Sequence, residues 1–175
     1  MSVLGYPTEQ LPDQLREHLR LVFVGTAASE RSARDGHYYA HPGNRFWSVI
    51  HEAGITERRY EPSEFGMLLE LGIGFTDLSK SGAGMDYQIS AESIDVAAFR
   101  NKLEKFRPRT IAFTSKRAAS LFYDKPTKAI MLGMQQPKRG LPEVFVLSSP
   151  SGAASGHWTP KPWYDLGLWL KSEGR

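Results

Sequence analysis

The sequence contains no cysteine, which excludes disulfides and thiolate metal sites and makes a cytoplasmic address the expectation. Its longest apolar runs, such as Leu21–Val24 and Val144–Leu147, are four residues, far short of the ~20 that span a bilayer as a helix. No membrane segment is expected. Met1–Pro7 has no basic stretch leading into an apolar one, so a secretory leader is not expected either. Neither GxGxxG nor GxxxxGK followed by Ser or Thr occurs, which argues against a nucleoside-triphosphate enzyme. There is no HExxH for a zinc hydrolase and no GxSxG for a serine-hydrolase elbow.

What is present is ordinary for a globular chain: 175 residues, 41% hydrophobic and 23% charged, the size of one domain with one core. The net charge of +3 is too small to identify a partner. Its distribution says more, because Lys102, Lys105, Arg107 and Arg109 form one basic cluster and Lys116–Arg117, Lys125–Lys128 and Lys138–Arg139 form others. Such clusters permit a polyanion without requiring one.

Leu21–Val24 reads as a buried strand running into the small-residue loop Gly25–Ser29. Helices are expected over Asn44–Ala53, from Ser63 as N-cap to about Glu70, and from Asp95 as N-cap to Phe106, where Val96, Phe99, Leu103 and Phe106 recur at helical spacing. The Gly-rich stretch Gly72–Gly84 reads as a site-forming loop. Thr110–Thr114 reads as a second strand, with Ser115 capping a short helix to Tyr123. A short strand is expected near Ala129–Leu132, another at Val144–Leu147, and a last helix over Lys161–Lys171 with Trp163, Leu166 and Leu170 inward. Strands alternating with helices imply a three-layer αβα sandwich around a mostly parallel sheet of about four strands. Ligands gather at the carboxyl ends of such strands. The loops Gly25–Ser29 and Ser149–Ser155 are therefore expected to face one cleft.

The densest segment chemically is Gly36-His37-Tyr38-Tyr39-Ala40-His41-Pro42-Gly43-Asn44-Arg45-Phe46-Trp47. It combines rings able to stack on a planar base, a Pro-Gly turn, and an Asn that both donates and accepts. Either an aromatic core cluster with a helix cap or a pocket for a planar heterocycle would use these residues. Together with the strand into Gly25, Gly74-Phe75-Thr76-Asp77 and Pro150-Ser151-Gly152, the Ala40–Trp47 string resembles the mismatch-specific uracil/thymine-DNA glycosylases of the uracil-DNA glycosylase superfamily. The likeness runs in order along most of the chain.

That resemblance implies a metal- and cofactor-free monofunctional DNA glycosylase, monomeric, acting on DNA that carries uracil or another deaminated base and leaving an abasic site. If the source is bacterial, it would work at the nucleoid. Gly25, Thr26, Ala27, Ser29 and Ser32 would line the uracil pocket, with Phe75 beside them, and Tyr39 would stack on the flipped base. Pro150, Ser151, Gly152, Ala153, Ser155 and His157 would form the loop that enters the DNA minor groove. Ala27 stands where the family has the Asn that holds the attacking water, Ser149 where its second motif begins with Asn, and Ala153 where it has a bulky wedge. Hypoxanthine-DNA glycosylases, which the sequence also resembles, lack the first-motif Asn too and use the Asn matching Asn44. Asn44 is thus the leading candidate for orienting water and Asp77 the next, with Ser149 beside them. A weakly catalytic or non-catalytic binder of uracil or abasic DNA, or an enzyme for hypoxanthine, xanthine or mismatched thymine, are the alternatives.

Overall fold

Alternation along the first strand sets up the layers. In the computed structural model, which describes residues 11–83 and 94–173, strand β1 (Leu21–Ala28) sends Leu21 and Phe23 into one buried cluster and Val22 and Val24 into another. That is the period-two pattern of a strand covered on both faces. Met1–Pro7 and the end of the Gly72–Gly84 stretch lie outside the described residues.

Five strands form one sheet in the order β2 (Ile73–Ala83), β1, β3 (Thr110–Phe113), β5 (Glu143–Val146) and β4 (Gly133–Met134). All pairs are parallel except β4 on β5. Helices α2 (Phe46–Glu52) and α5 (Lys161–Glu173) cover one face through Phe46, Trp47, Ile50, Trp163 and Leu166. Helices α3 (Val96–Phe106) and α4 (Lys116–Tyr123) cover the other through Phe99, Leu103, Ala118 and Phe122. The αβα sandwich is the expected one. Asp95 and Ser115 cap α3 and α4, accepting from the Ala98 and Ala118 N–H groups at 2.9 and 3.0 Å. No helix among the described residues is long and apolar enough to cross a membrane.

Four local expectations are corrected. Gly72–Gly84 is not a loop: from Ile73 onward it is β2, whose Ile73, Phe75 and Leu78 are buried and which pairs with β1 from Leu21↔Ile73 to Gly25↔Asp77. Glycine and polar residues hid the alternation there, and the sheet has five strands rather than about four. Next, β1 continues through Gly25–Ala28, and Ser29 caps the short helix α1 (Glu30–Asp35). The run after Pro62 is a 3-10 helix over Pro62–Leu71, capped by Glu61 and Glu64 bonding reciprocally rather than by Ser63. Finally, the short strand sits at Gly133–Met134, after a 3-10 turn at Thr127–Ala129.

Candidate active site

The carboxyl ends of β1 and β3, the middle of β2 and the segment after β5 line a cavity of about 250 Å³. Drug-sized ligands occupy ~300–1,000 Å³, so this one suits a smaller guest such as a single heterocycle. Ala27, Ala28 and Ser29 line it from β1 and its end, Asp77 from β2, Thr114 and Ser115 from the end of β3, and Ser149, Pro150, Ser151, Ala153 and Ala154 from the segment after β5. The two small-residue segments do share one cleft.

The Ala40–Trp47 string is bolted to that cleft by backbone bonds. The Asn44 N–H donates to the His41 carbonyl (2.9 Å) and the Arg45 N–H to the Pro150 carbonyl (2.8 Å), which joins the string to the opposite wall. Gly152 completes the join, since a Cβ there would lie 3.1 Å from the Gly43 carbonyl oxygen. His41 Nδ1 accepts from the Gly43 N–H (2.9 Å), and the His37 ring lies near Phe65. These two histidines, four apart in sequence, therefore make no helical metal pair, and no group of three His, Asp or Glu among the described residues could hold a metal.

Tyr39 sits at φ +53°, a left-handed conformation that costs a bulky residue ~1–2 kcal/mol. Packing holds it there: one face of its ring stacks on Phe46 with centroids 4.1 Å apart and planes 14° apart, and its hydroxyl lies 3.1 Å from Thr114 Oγ1. Thr114 Oγ1 itself donates to the Val24 carbonyl (3.4 Å), so the Tyr39 O–H is the donor to Thr114. Burial, followed by the nearby Asp77 charge, pushes the phenol pKa up, so it stays protonated.

Among the described residues, Asp77 is the one ionisable side chain in the cavity wall apart from tyrosines. It is 5% exposed and its Oδ2 has no hydrogen-bond partner. Burial raises its carboxyl from the ordinary 3.8 to about 6, with Asp13 adding to the rise and Lys80 and Lys102 opposing it. It is seated there because Gly25, its register partner on β1, has no side chain: a Cβ at Gly25 would collide with Asp77 Oδ1.

Asn44 also lines the cavity, but its Oδ1 accepts from the Phe46 N–H at 2.8 Å and so helps start α2. The Nδ2 donors and one oxygen lone pair remain. Ser29 accepts from the Ser32 N–H and donates to Ser32 Oγ, both at 3.0 Å, and Ser32 Oγ accepts from the Ala40 N–H at 3.0 Å. Ser149 Oγ accepts from the Ser151 N–H at 3.3 Å.

Not every residue singled out in the sequence reaches the cavity. Phe75 is fully buried among Phe23, Tyr38 and Phe46, and Thr26 is buried with its hydroxyl unpartnered. Gly25 acts through the room it leaves. Gly152, Ser155 and His157 lie in an exposed 3-10 turn, Gly152–His157, at the rim. Thr114 and Ser115 were missed, although the rule that ligands gather at strand carboxyl ends applies to β3 as it does to β1. Tyr38, which belongs to the aromatic segment singled out in the sequence, also lines the wall, as does Leu11, which carried no signal of its own.

A model of the uracil DNA glycosylase superfamily matches residues 12–171. Among solved structures, the chain is similar to the solution NMR structure of a protein of Methanosarcina acetivorans that carries uracil DNA glycosylase as a provisional name. The TM-score is 0.66 at 24% identity, covering 92% of this chain and 96% of that one. At that identity the likeness concerns the fold.

Proposed function

The chain belongs to the uracil DNA glycosylase superfamily, and from that premise we propose that it hydrolyses the N-glycosidic bond of uracil in DNA, leaving an abasic site. The observation that carries this reading is the buried Asp77 carboxylate, with an oxygen that accepts no hydrogen bond, in a base-sized cavity. A base within a duplex has to be extruded, at a cost of a few kcal/mol, before such a cavity can hold it. Once it is held, the bond between C1′ and the base nitrogen breaks, with its electron pair leaving on the base. Water adds through oxygen to C1′, and one water proton passes to Asp77 and eventually to the departed base. Ionised Asp77 also stabilises the positive charge that develops on the sugar.

The division of labour between Asp77 and Asn44 follows from which acceptor is unoccupied. Asp77 Oδ2 accepts no hydrogen bond and has only the Lys80 ammonium at 3.7 Å, whereas Asn44 Oδ1 already holds the Phe46 N–H. Asp77 is therefore assigned the proton and Asn44 the positioning of the water or base through Nδ2. Ala27 lines the wall with a methyl group and contributes neither.

The test is a panel of end-labelled oligonucleotides carrying uracil, hypoxanthine, xanthine or thymine, single-stranded, paired or mispaired, incubated with protein in excess and then hot alkali. Breaks at uracil support the reading. Breaks at another base alone would move the substrate, and retarded DNA without breaks would make the protein a lesion binder, a reading that the apolar Ala27 favours.

Tyr39 supports the reading because its ring lines the cavity. Phe46 occupies one face, and a base would stack on the other. Tyr39→Ala is expected to lower single-turnover cleavage by about ten- to a hundredfold, the ~1–3 kcal/mol of one base–aromatic stack. A folded variant with the wild-type rate would return the ring to a purely structural role.

Ala153, at the cavity rim, has only a methyl with which to fill the gap left by an extruded base. Unpaired uracil and uracil opposite guanine are accordingly expected to be cleaved faster than uracil opposite adenine. Equal rates in the three contexts would mean that another group, such as His157 or the Lys138–Arg139 segment, does the wedging.

A further inference from the structure

Next to Asp77, and outside the cavity lining, lies a group of charges contributed by three separate elements. Lys80 of β2 is mostly buried, its side chain 15% exposed, and its Nζ lies 3.7 Å from Asp77 Oδ2 and 3.0 Å from Asp13 Oδ1. Lys102 of α3 contacts Asp13 Oδ2 at 2.6 Å, and the Thr76 hydroxyl donates to Asp13 Oδ1, also at 2.6 Å. Lys80 Nζ donates to the Tyr38 hydroxyl at 3.4 Å. Asp13 reaches this place because residue 14 is strapped to the edge of β2. The Gln14 N–H and carbonyl exchange hydrogen bonds with Phe75, both at 2.9 Å, and the Gln14 side chain donates to the Phe65 carbonyl.

Two lysines and Asp13 leave one net positive charge in a poorly solvated place. An ionised Asp77 is the nearest group able to neutralise it. We propose that Lys80, shared between Asp13 and Asp77, is a positioning residue for the reaction: it holds the Asp77 carboxyl over the cavity and keeps it ionised, while Asp13 limits how strongly it does so. The inference rests on the glycosylase reading and deepens it.

The charged and titratable groups facing Asp77 are Lys80 on its own strand, Asp13 on the N-terminal strap, Lys102 on α3 and the Tyr39 phenol across the cavity. Burial tends to raise the Asp13 carboxyl, but Lys80, Lys102 and Thr76 outweigh it and hold that carboxyl below its ordinary range. Asp13 therefore stays a fixed negative charge through the range in which Asp77 titrates. Its effect on Asp77 is opposite in sign to that of Lys80.

This opposition supplies the test. Single-turnover cleavage of uracil-containing DNA is measured from pH 5 to 9 for the full chain and for Lys80→Met, Lys80→Arg and Asp13→Asn. Alongside it, the Asp77 carboxyl is titrated directly by NMR of carbon-13-labelled protein, its resonance assigned by its loss in Asp77→Asn. Lys80→Met is expected to move the acid limb of the profile and the carboxyl titration to higher pH by about one unit, the low end of what an adjacent opposite charge does. Lys80→Arg should restore most of that shift. Asp13→Asn should move both to lower pH. Both variants moving in the same direction, or losing rate evenly at every pH with the titration unmoved, would overturn the proposal and leave Lys80 and Asp13 as packing elements. If the wild-type chain cleaves no base at all, the glycosylase reading fails, yet the NMR titration still decides whether Lys80 and Asp13 bias Asp77 in opposite directions.

Discussion

Asp77→Asn is expected to lose at least a hundredfold in single-turnover cleavage and, in the same measurement series, to become more stable than the wild type at neutral pH. The rate loss follows from removing the proton acceptor while keeping the shape; such groups contribute ~10²–10⁴-fold. The stability gain follows from the raised carboxyl. Asp77 has an ordinary value of 3.8 and titrates near 6 when folded, so the native state binds its proton more tightly than the unfolded chain does. Stability from this group is fully present below about pH 4 and is lost as pH rises through 6. Two units correspond to about 3 kcal/mol, of which a replacement amide recovers a part, on the order of 1–3 kcal/mol at pH 7.5 and almost nothing at pH 4. Denaturant unfolding of both proteins at the two pH values checks the sign. Asn44→Ala is expected to behave differently. It should cost about tenfold in rate and, through the lost bond to the Phe46 N–H, about 1 kcal/mol of stability at either pH. Were Asn44→Ala to lose more rate than Asp77→Asn, the water would belong to Asn44 and the carboxylate to the background.

The contrast between these two residues shows how far the sequence could be read. Helices α3 and α4 were legible to within a residue, because Asp95 and Ser115 are local signals: each side chain bonds a backbone N–H three residues on. The Ala40–Trp47 string was legible as a site because its chemistry is contiguous. β2 was not, because what makes it a strand is its pairing with β1 and burial on both faces, while Gly72, Gly74 and Gly82 give it the composition of a loop. That misreading hid the importance of Asp77, which was visible as a carboxylate but not as one whose neighbours are a strand and a cavity. Asp13 carried no signal whatever. It lies 63 residues from Thr76 along the chain, and only the strap at Gln14 brings the two together. Charges act across space, and a sequence displays them in order.

Gly25→Ala is expected to abolish cleavage nearly as completely as Asp77→Asn, about a hundredfold, although an added methyl group has no chemistry of its own. Gly25 and Asp77 face each other in register on adjacent parallel strands, and their side-chain positions point to the same face of the sheet. The Asp77 carboxyl leans across the space that a Cβ at residue 25 would occupy, and the Tyr39 hydroxyl lies 3.5 Å from that same point. Neither strand can give way cheaply, because β1 is hydrogen-bonded on both sides, to β2 and to β3. The carboxyl must rotate instead, and a misplaced proton acceptor loses most of its effect. Crowding of this kind costs ~1–3 kcal/mol of stability, so unfolding should be measured with the rate to show that the variant is native. The sharper readout is the double variant. If Gly25→Ala acts only by displacing Asp77, then adding it to Asp77→Asn removes nothing further, and the two losses are strongly non-additive, as residues in direct contact usually are. Two hundredfold losses that multiply would mean that Gly25 serves the reaction independently, through the approach of its backbone to the bound base, and the collision with Asp77 would no longer account for the glycine.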